Sequence, residues 1–254
     1  VPQHRHETRL VDGFGLVLIL AAMPAAGNFL GALFSEFFNV SDRYLSLALH
    51  LAAGIVIAVV GLELMPEALQ GPSPWIPILA FLGGGVVYLG IERAISFLRT
   101  RLQGREERTG PLAIFAGVSL DLFSDGVMIG TATVLNPNLG LLLALGQVPA
   151  DLPEGFAAAA TLRHAGLSRR TRILMALGFT IPILVGASLG YFALRAAPEI
   201  LTLSVLALTG GVLTCVVIED MIAEAHRNDT SSFDAIALTS GFALFALITV
   251  YVAG

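Results

Sequence analysis

Two pairs of carboxylates stand inside the most apolar part of the chain: Asp121 and Asp125 in one hydrophobic segment, Asp151 and Glu154 in the next. No Lys, Arg or His occurs between Ile114 and Leu162 to neutralise them. An ionised side chain costs about 2.5–3.5 kcal/mol at the centre of a bilayer helix, so such groups mark ion pathways, proton relays or buried cofactor sites. Four acceptor groups without a fixed cation point to a mobile one, a metal dication. Two other chemistries stay open: protonated carboxyls that bond to a carbonyl or hydroxyl and hold helices together, and a proton relay without metal.

Spacing supports convergence. Asp121 and Asp125 are four residues apart, Asp151 and Glu154 three, so each pair shares one helical face. The turn Asn136-Pro137-Asn138 makes the two helices antiparallel neighbours with the pairs at similar depth. Pro149 and Pro153 each remove a backbone hydrogen bond, which predicts a broken helix lining a polar cavity. Gly126 and Gly155 are expected to let the two helices approach. Gln147, Ser119, Ser124 and Thr131 offer neutral oxygens, although most Ser and Thr in such helices bond their own backbone.

Further polar residues suggest a route. Glu63 and Glu67, with Met65, form either an acidic mouth or a solvated helix end. Glu219 and Asp220, with Glu224 and His226 beyond, form an opposite exit, unless Glu219 pairs with an Arg. His50 is a ligand or a hydrogen-bonded packing residue.

The elements that carry these residues are apolar and long. The chain has 254 residues, 56% hydrophobic and 13% charged, with mean hydropathy +0.82; a soluble domain carries about 25% charged residues. A bilayer core takes about 20 apolar residues as a helix. On that measure the sequence predicts an all-α membrane protein, a single transmembrane domain over residues 1–254. Its eight spans fall near 13–34, 45–65, 75–98, 112–135, 139–162, 173–194, 199–222 and 234–253. The breaks hold turn chemistry or charge, at Ser41-Asp42-Arg43, Gly71-Pro72-Ser73-Pro74, 99–111, Asn136-Pro137-Asn138, 166–172, Ala197-Pro198 and 227–232. With both termini outside, eleven of the fourteen Arg fall in inner loops, the arrangement the positive-inside rule favours. The polar N-terminus, with His4 and His6, lacks the basic region and cleavage site of a signal peptide. Cys215 is alone and forms no internal disulfide. There is no coiled-coil pattern and no nucleic-acid patch.

The hexapeptide Asp121-Leu122-Phe123-Ser124-Asp125-Gly126 and the run Ala150-Asp151-Leu152-Pro153-Glu154-Gly155 resemble the fourth- and fifth-span motifs of the Zrt-, Irt-like protein (ZIP) family of divalent metal transporters, bacterial type. Gly61-Leu62-Glu63-Leu64-Met65-Pro66-Glu67-Ala68 resembles the outer end of that family's second span. The fifth-span match is the most specific. The fourth is degenerate: the family's His is Asp121, its Asn is Leu122 and its Glu is Asp125, while a frequent fifth-span ligand position is Ala150.

The resemblance implies an eight-helix bundle in the bacterial inner membrane, a homodimer in the lipid bilayer with no cofactor besides the transported metal, moving a dication, zinc first, toward the cytoplasm by a rocking or elevator motion. It also implies one metal site, of Asp121, Asp125, Asp151 and Glu154, because no acidic residue lies between Arg172 and Glu199 to build a second beside it. Oxygen donors alone suit manganese, magnesium or calcium better than a nitrogen-containing set does. The short stretch 99–111 has no His and is not expected to sense metal. One rival is a ZIP-like subunit that has lost transport and serves as a structural partner in a larger complex. A second is an intramembrane hydrolase, which the sequence disfavours for lack of His-Glu-x-x-His and Gly-x-Gly-Asp.

Overall fold

The computed structural model describes residues 3–38, 41–102, 106–226 and 233–253. The expected break at 227–232 and the middle of that at 99–111 fall outside these residues. Every regular element described is helical: α1 (Gln3–Phe37), α2 (Asp42–Ala58), α3 (Met65–Ala68), α4 (Trp75–Leu102), α5 (Glu106–Leu135), α6 (Pro137–His164), α7 (Arg169–Gly178), α8 (Thr180–Leu194), α9 (Glu199–Val216), α10 (Ile222–Ala225) and α11 (Asp234–Ala253). The expected second span is α2 and α3 joined through a π-helical stretch, Val59–Leu64. The seventh joins α9 to α10 through another, Val217–Met221. The sixth is α7 and α8, meeting at Phe179.

Seven segments of the described residues are long and apolar enough to cross a membrane: Gly13–Phe37, Asp42–Ala68, Trp75–Ala94, Ile114–Leu135, Arg169–Leu194, Glu199–Ala225 and Asp234–Val252. Helix α6, the expected fifth span, is not among them. It is long enough, but Gln147, Pro149, Asp151, Pro153 and Glu154 lower its hydropathy.

Local chemistry sets the turn on which the site depends. Asn136 alone separates α5 from α6; its side chain accepts a bond from Asn138 N at 2.9 Å, and Pro137 follows at the first helical position. At the other end of α6, Gly166 takes φ +79°. There Leu167 N bonds Leu162 O and Gly166 N bonds Arg163 O, the pairing that closes a helix with a left-handed glycine. Ser168 then caps α7 by accepting from Thr171 N. Pro149 and Pro153 do not break α6, which runs as one helix through both.

Four helix pairs pack most closely: α1 with α6, α5 with α8, α4 with α9, and α2 with α11. Glycines make each possible, because a Cβ added there would run into the facing backbone. Gly31 faces Leu152 and Gly155 faces Asn28; Gly54 faces Leu238 and Gly241 faces Leu51; Gly84 faces Leu208 and Gly211 faces Phe81; Gly126 faces Ile183 and Gly186 faces Phe123. Gly126 and Gly155 therefore do not join α5 to α6, as expected from their place in the motifs. They tie α5 to α8 and α6 to α1. Helix α6 also meets α5 and α2, and α5 meets α9, which puts the acidic faces at the centre. The core includes Leu20, Ile55, Val59, Met128, Ile129, Leu143, Leu206, Leu213 and Phe245. At the periphery, α4 and α11 present large apolar side chains outward, among them Trp75, Leu82, Val86, Ile236, Val250 and Tyr251.

Candidate metal centre

Antiparallel α5 and α6 bring the two carboxylate pairs face to face. Gln147 on α6 donates its side-chain amide to Asp125 Oδ1 on α5. Asp121, one helical turn from Asp125, lies within electrostatic reach of Glu154. Asp151 lies within electrostatic reach of Asp121 and Asp125. Asp125, Asp151 and Gln147 are fully buried.

Between these groups is a cavity of about 10 Å³, lined by Asp121, Gln147, Asp151 and Glu154 on its polar side and by apolar residues including Val56, Leu213 and Met221. That volume holds roughly one water-sized body. Asp121 Oδ1, Asp125 Oδ2, Asp151 Oδ2 and Gln147 Oε1 are closed off from solvent and have no hydrogen-bond partner. Orphaned buried acceptors are rare because each forfeits its hydration. Three of them, on Asp121, Asp151 and Gln147, belong to residues that line this cavity, and Asp125 is bonded to Gln147 beside them; together they form a site whose missing partner is a donor or a cation. The oxygens are not drawn into a tight cage: among the described residues, no three of these carboxylates offer atoms as close together as the His50, His226 and Asp234 group does.

The neutral residues named with them divide. Ser124 Oγ donates to Leu120 O at 3.1 Å, within its own helix. Ser119 and Thr131 have unpartnered hydroxyls. Asn28 on α1 escaped sequence reasoning: it is fully buried with both amide atoms unpaired, and its backbone packs against Gly155, the residue that follows Glu154 in sequence. A lone Asn in an apolar span was the available signal.

The route residues fall on the two π-helical spans. Glu63 lies in the first π stretch with one carboxylate oxygen buried and unpartnered. Glu67, in α3, accepts from Gln70 Nε2 at 3.0 Å. Glu219 and Asp220 lie in the second π stretch, where Asp220 accepts from Tyr88 OH at 3.1 Å. Asp220 is also within electrostatic reach of Asp121, so it adjoins the central cluster. Glu219 forms none of the ion pairs among the described residues. π-helical turns commonly mark functional positions. Nothing in the residue pattern separates them from α-helix, so sequence reasoning placed both acidic segments in ordinary spans.

One hydrolase-like spacing is present: Gly186-Ala187-Ser188-Leu189-Gly190 reads Gly-x-Ser-x-Gly. A nucleophile elbow needs a sharp strand-to-helix turn. Here the stretch lies inside α8, and Ser188 Oγ is spent on Leu184 O at 2.7 Å.

Comparison with known proteins identifies the family. The family profile described as ZIP Zinc transporter matches residues 102–249, which include both acidic helices. The zinc transporter ZupT of Shigella flexneri serotype 5b (strain 8401) is 25% identical over 252 residues, covering 93% of this chain and 98% of that protein. ZupT of Salmonella newport (strain SL254) is 26% identical over 243 residues, covering 91% and 94%. The apolar helices and these relatives make the chain an integral, multi-pass membrane protein. With more than half its length matched, including every carboxylate of the central cluster, the chain belongs to the ZIP family of zinc transporters.

Proposed function

We propose that this chain carries a divalent transition-metal cation, zinc first, across the bacterial inner membrane toward the cytoplasm through one mid-membrane site made by Asp121, Asp125, Asp151 and Glu154. The observation that carries this reading is the unpartnered acceptor oxygens of Asp121, Asp151 and Gln147 on the lining of one ion-sized cavity, with Asp125 held beside them by Gln147 and no fixed cation in the cluster. A dication supplies the partner that each oxygen lacks. A scaffold subunit has no use for such a set, and the family's transporters give that reading no support.

The proposal extends to the frame. Helix α6 is the fifth span and brings the number to eight, its low hydropathy explained by the site it carries, and both termini lie outside. Metal enters past Glu63 and Glu67, is held among the four carboxylates with Gln147 Oε1 as a neutral donor, and leaves past Asp220 and Glu219. The small cavity favours a state closed around the site, and opening toward either side requires the bundle to move. Lipid covers the apolar faces of α4 and α11, and the protein works as a homodimer.

The test is flux into proteoliposomes for zinc, cadmium, manganese and iron, comparing wild type with Glu154→Ala. Flux of one metal that collapses in the variant supports a carrier and names its cargo. No flux of any metal above empty liposomes, from protein that remains folded, overturns the reading.

A further inference from the structure

His50, His226 and Asp234 come from three elements, α2, the end of α10 and the start of α11, and no sequence motif joins them. In the fold each offers one ligand atom, and these atoms all lie within 4.8 Å of one another. His50 Nε2 and His226 Nε2 are 3.2 Å apart. Two donors on a tetrahedral zinc ion, with Zn–N bonds of about 2.0–2.1 Å, sit about 3.3 Å apart.

The site is also oriented. His50 is 3% exposed, and its Nδ1 lies 2.9 Å from Ser46 O. A carbonyl only accepts, so Nδ1 carries the hydrogen and Nε2 presents its lone pair to His226, the arrangement by which protein ligands fix a metal-binding imidazole. Ser46 Oγ donates to Asp234 Oδ1 at 3.5 Å, while Asp234 Oδ2 lies 4.0 Å from His226 Nε2. Asp234 occupies the first turn of α11, where the helix dipole favours a carboxylate. His226 leaves one side of the group open, with its side chain 45% exposed.

We infer that His50, His226 and Asp234 form a second metal site, separate from the central carboxylates, that takes a zinc-class dication with solvent in the fourth position. Its two imidazoles give it the nitrogen donors that the central cluster lacks, so it selects zinc, cobalt or nickel over manganese and magnesium. The two sites share elements. Val56 and Met221 line the central cavity, and His50 and His226 stand six and five residues from them toward the same end of the bundle. At a helical rise of 1.5 Å per residue the separation is about 7.5–9 Å. Its place as the last station on the release side rests on the transport reading; the site itself does not.

Full-length protein in lipid nanodiscs decides between a metal site and a hydrogen-bonded imidazole pair. Zinc stoichiometry by equilibrium dialysis is expected to fall by one equivalent in His226→Ala, which truncates a side chain that is 45% exposed. Glu154→Gln is expected to lose a different equivalent and to keep the one that His226→Ala removes. In His226→Cys loaded with cobalt(II), a thiolate-to-metal charge-transfer band is expected that wild type, with Cys215 elsewhere, does not show. Equal zinc stoichiometry in wild type and His226→Ala overturns the inference. Loss of flux in Glu154→Gln bears only on transport, so the two readings fail separately.

Discussion

Gln147 donates its side-chain amide to Asp125 Oδ1 across the interface of the two acidic helices. That bond leaves Asp125 Oδ2 and Gln147 Oε1 as unpartnered acceptors, and Gln147 lines the cavity. Gln147 thus fixes the carboxylate and supplies a neutral oxygen. A hydrogen bond to a charged group is worth about 1.5–3 kcal/mol. Gln147→Leu, which keeps the bulk and removes both functions, is expected to weaken apparent zinc affinity about 10–100-fold at about 1.4 kcal/mol per decade. Initial flux against zinc concentration measures this; an unchanged curve removes Gln147 from the site. Gln147→His is expected to shift competition toward zinc over manganese by adding a nitrogen donor.

The carboxylates themselves are tested by near-isosteric loss of charge. Asp151→Asn and Glu154→Gln are expected to reduce flux to the level of empty liposomes. Thermal stability in detergent is expected to hold or rise, since a buried charge with no paired cation costs stability rather than adding it. If these residues served instead as protonated ties between helices, stability would fall and flux would follow it. Measuring melting temperature and flux on the same preparations separates the two cases.

Much of this was legible in the sequence because one cost dominates: charge in an apolar span. Asp121, Asp125, Asp151 and Glu154 stood out for that reason, and the turn at Asn136 fixed their antiparallel approach. Other features depended on long-range partners. That Gly126 packs on Ile183 and Gly155 on Asn28 requires knowing which helices are neighbours, and α5 and α6 were only one candidate pair. The continuity of α6 through Pro149 and Pro153 reflects support from α1 and α5 that no local propensity contains. His50, His226 and Asp234 were each visible as residues, but the sequence separation of 176 between the two histidines hid the group.

Acid is expected to weaken metal binding. Each carboxylate ligand must be deprotonated to bind, so protons and metal compete for the central site, and affinity falls as pH falls. Apparent zinc affinity is expected to lose about one decade per pH unit for each proton displaced. Binding isotherms at several pH values read the slope, and a flat profile would mean that the bound metal avoids these carboxylates.

Glu36 and Arg172 form a bidentate pair, Nε to Oε1 and Nη2 to Oε2 at 2.6 Å each, tying the end of α1 to α7. Both side chains are largely buried, at 4% and 10% exposure, and Arg172 also donates to Leu167 O. Arg163 Nη1 reaches Ser35 O at 2.9 Å beside them. Removing one partner of a buried pair leaves the other charge uncompensated, at a cost of about 3–5 kcal/mol. Glu36→Gln is expected to lower the melting temperature clearly while leaving metal stoichiometry unchanged. The double variant Glu36→Leu/Arg172→Leu is expected to recover part of that loss, because no buried lone charge remains; Arg169, which also pairs with Glu36, is solvent-exposed. A double variant less stable than the sum of the single ones would contradict this account.

Gly54 and Gly241 show how the fold makes room for the rest. Each faces the other helix's backbone, Leu238 O and Leu51 O respectively, so α2 and α11 touch without intervening side chains. In lipid the attraction between such helices comes from close packing, which a single methyl group interrupts. Gly241→Ala is therefore expected to force α11 away from α2, and overpacking costs typically about 1–3 kcal/mol. The displacement also carries Asp234, at the start of α11, away from His50, so the same variant is expected to lose the zinc equivalent assigned to that group. Gly83 on α4 has nothing within 4 Å of an added Cβ, and Gly83→Ala is expected to be neutral or to stabilise by up to about 1 kcal/mol. Melting temperature and zinc stoichiometry measured on both variants test the coupling. Destabilisation without loss of the zinc equivalent would show that the α2–α11 contact and the His50 group are independent.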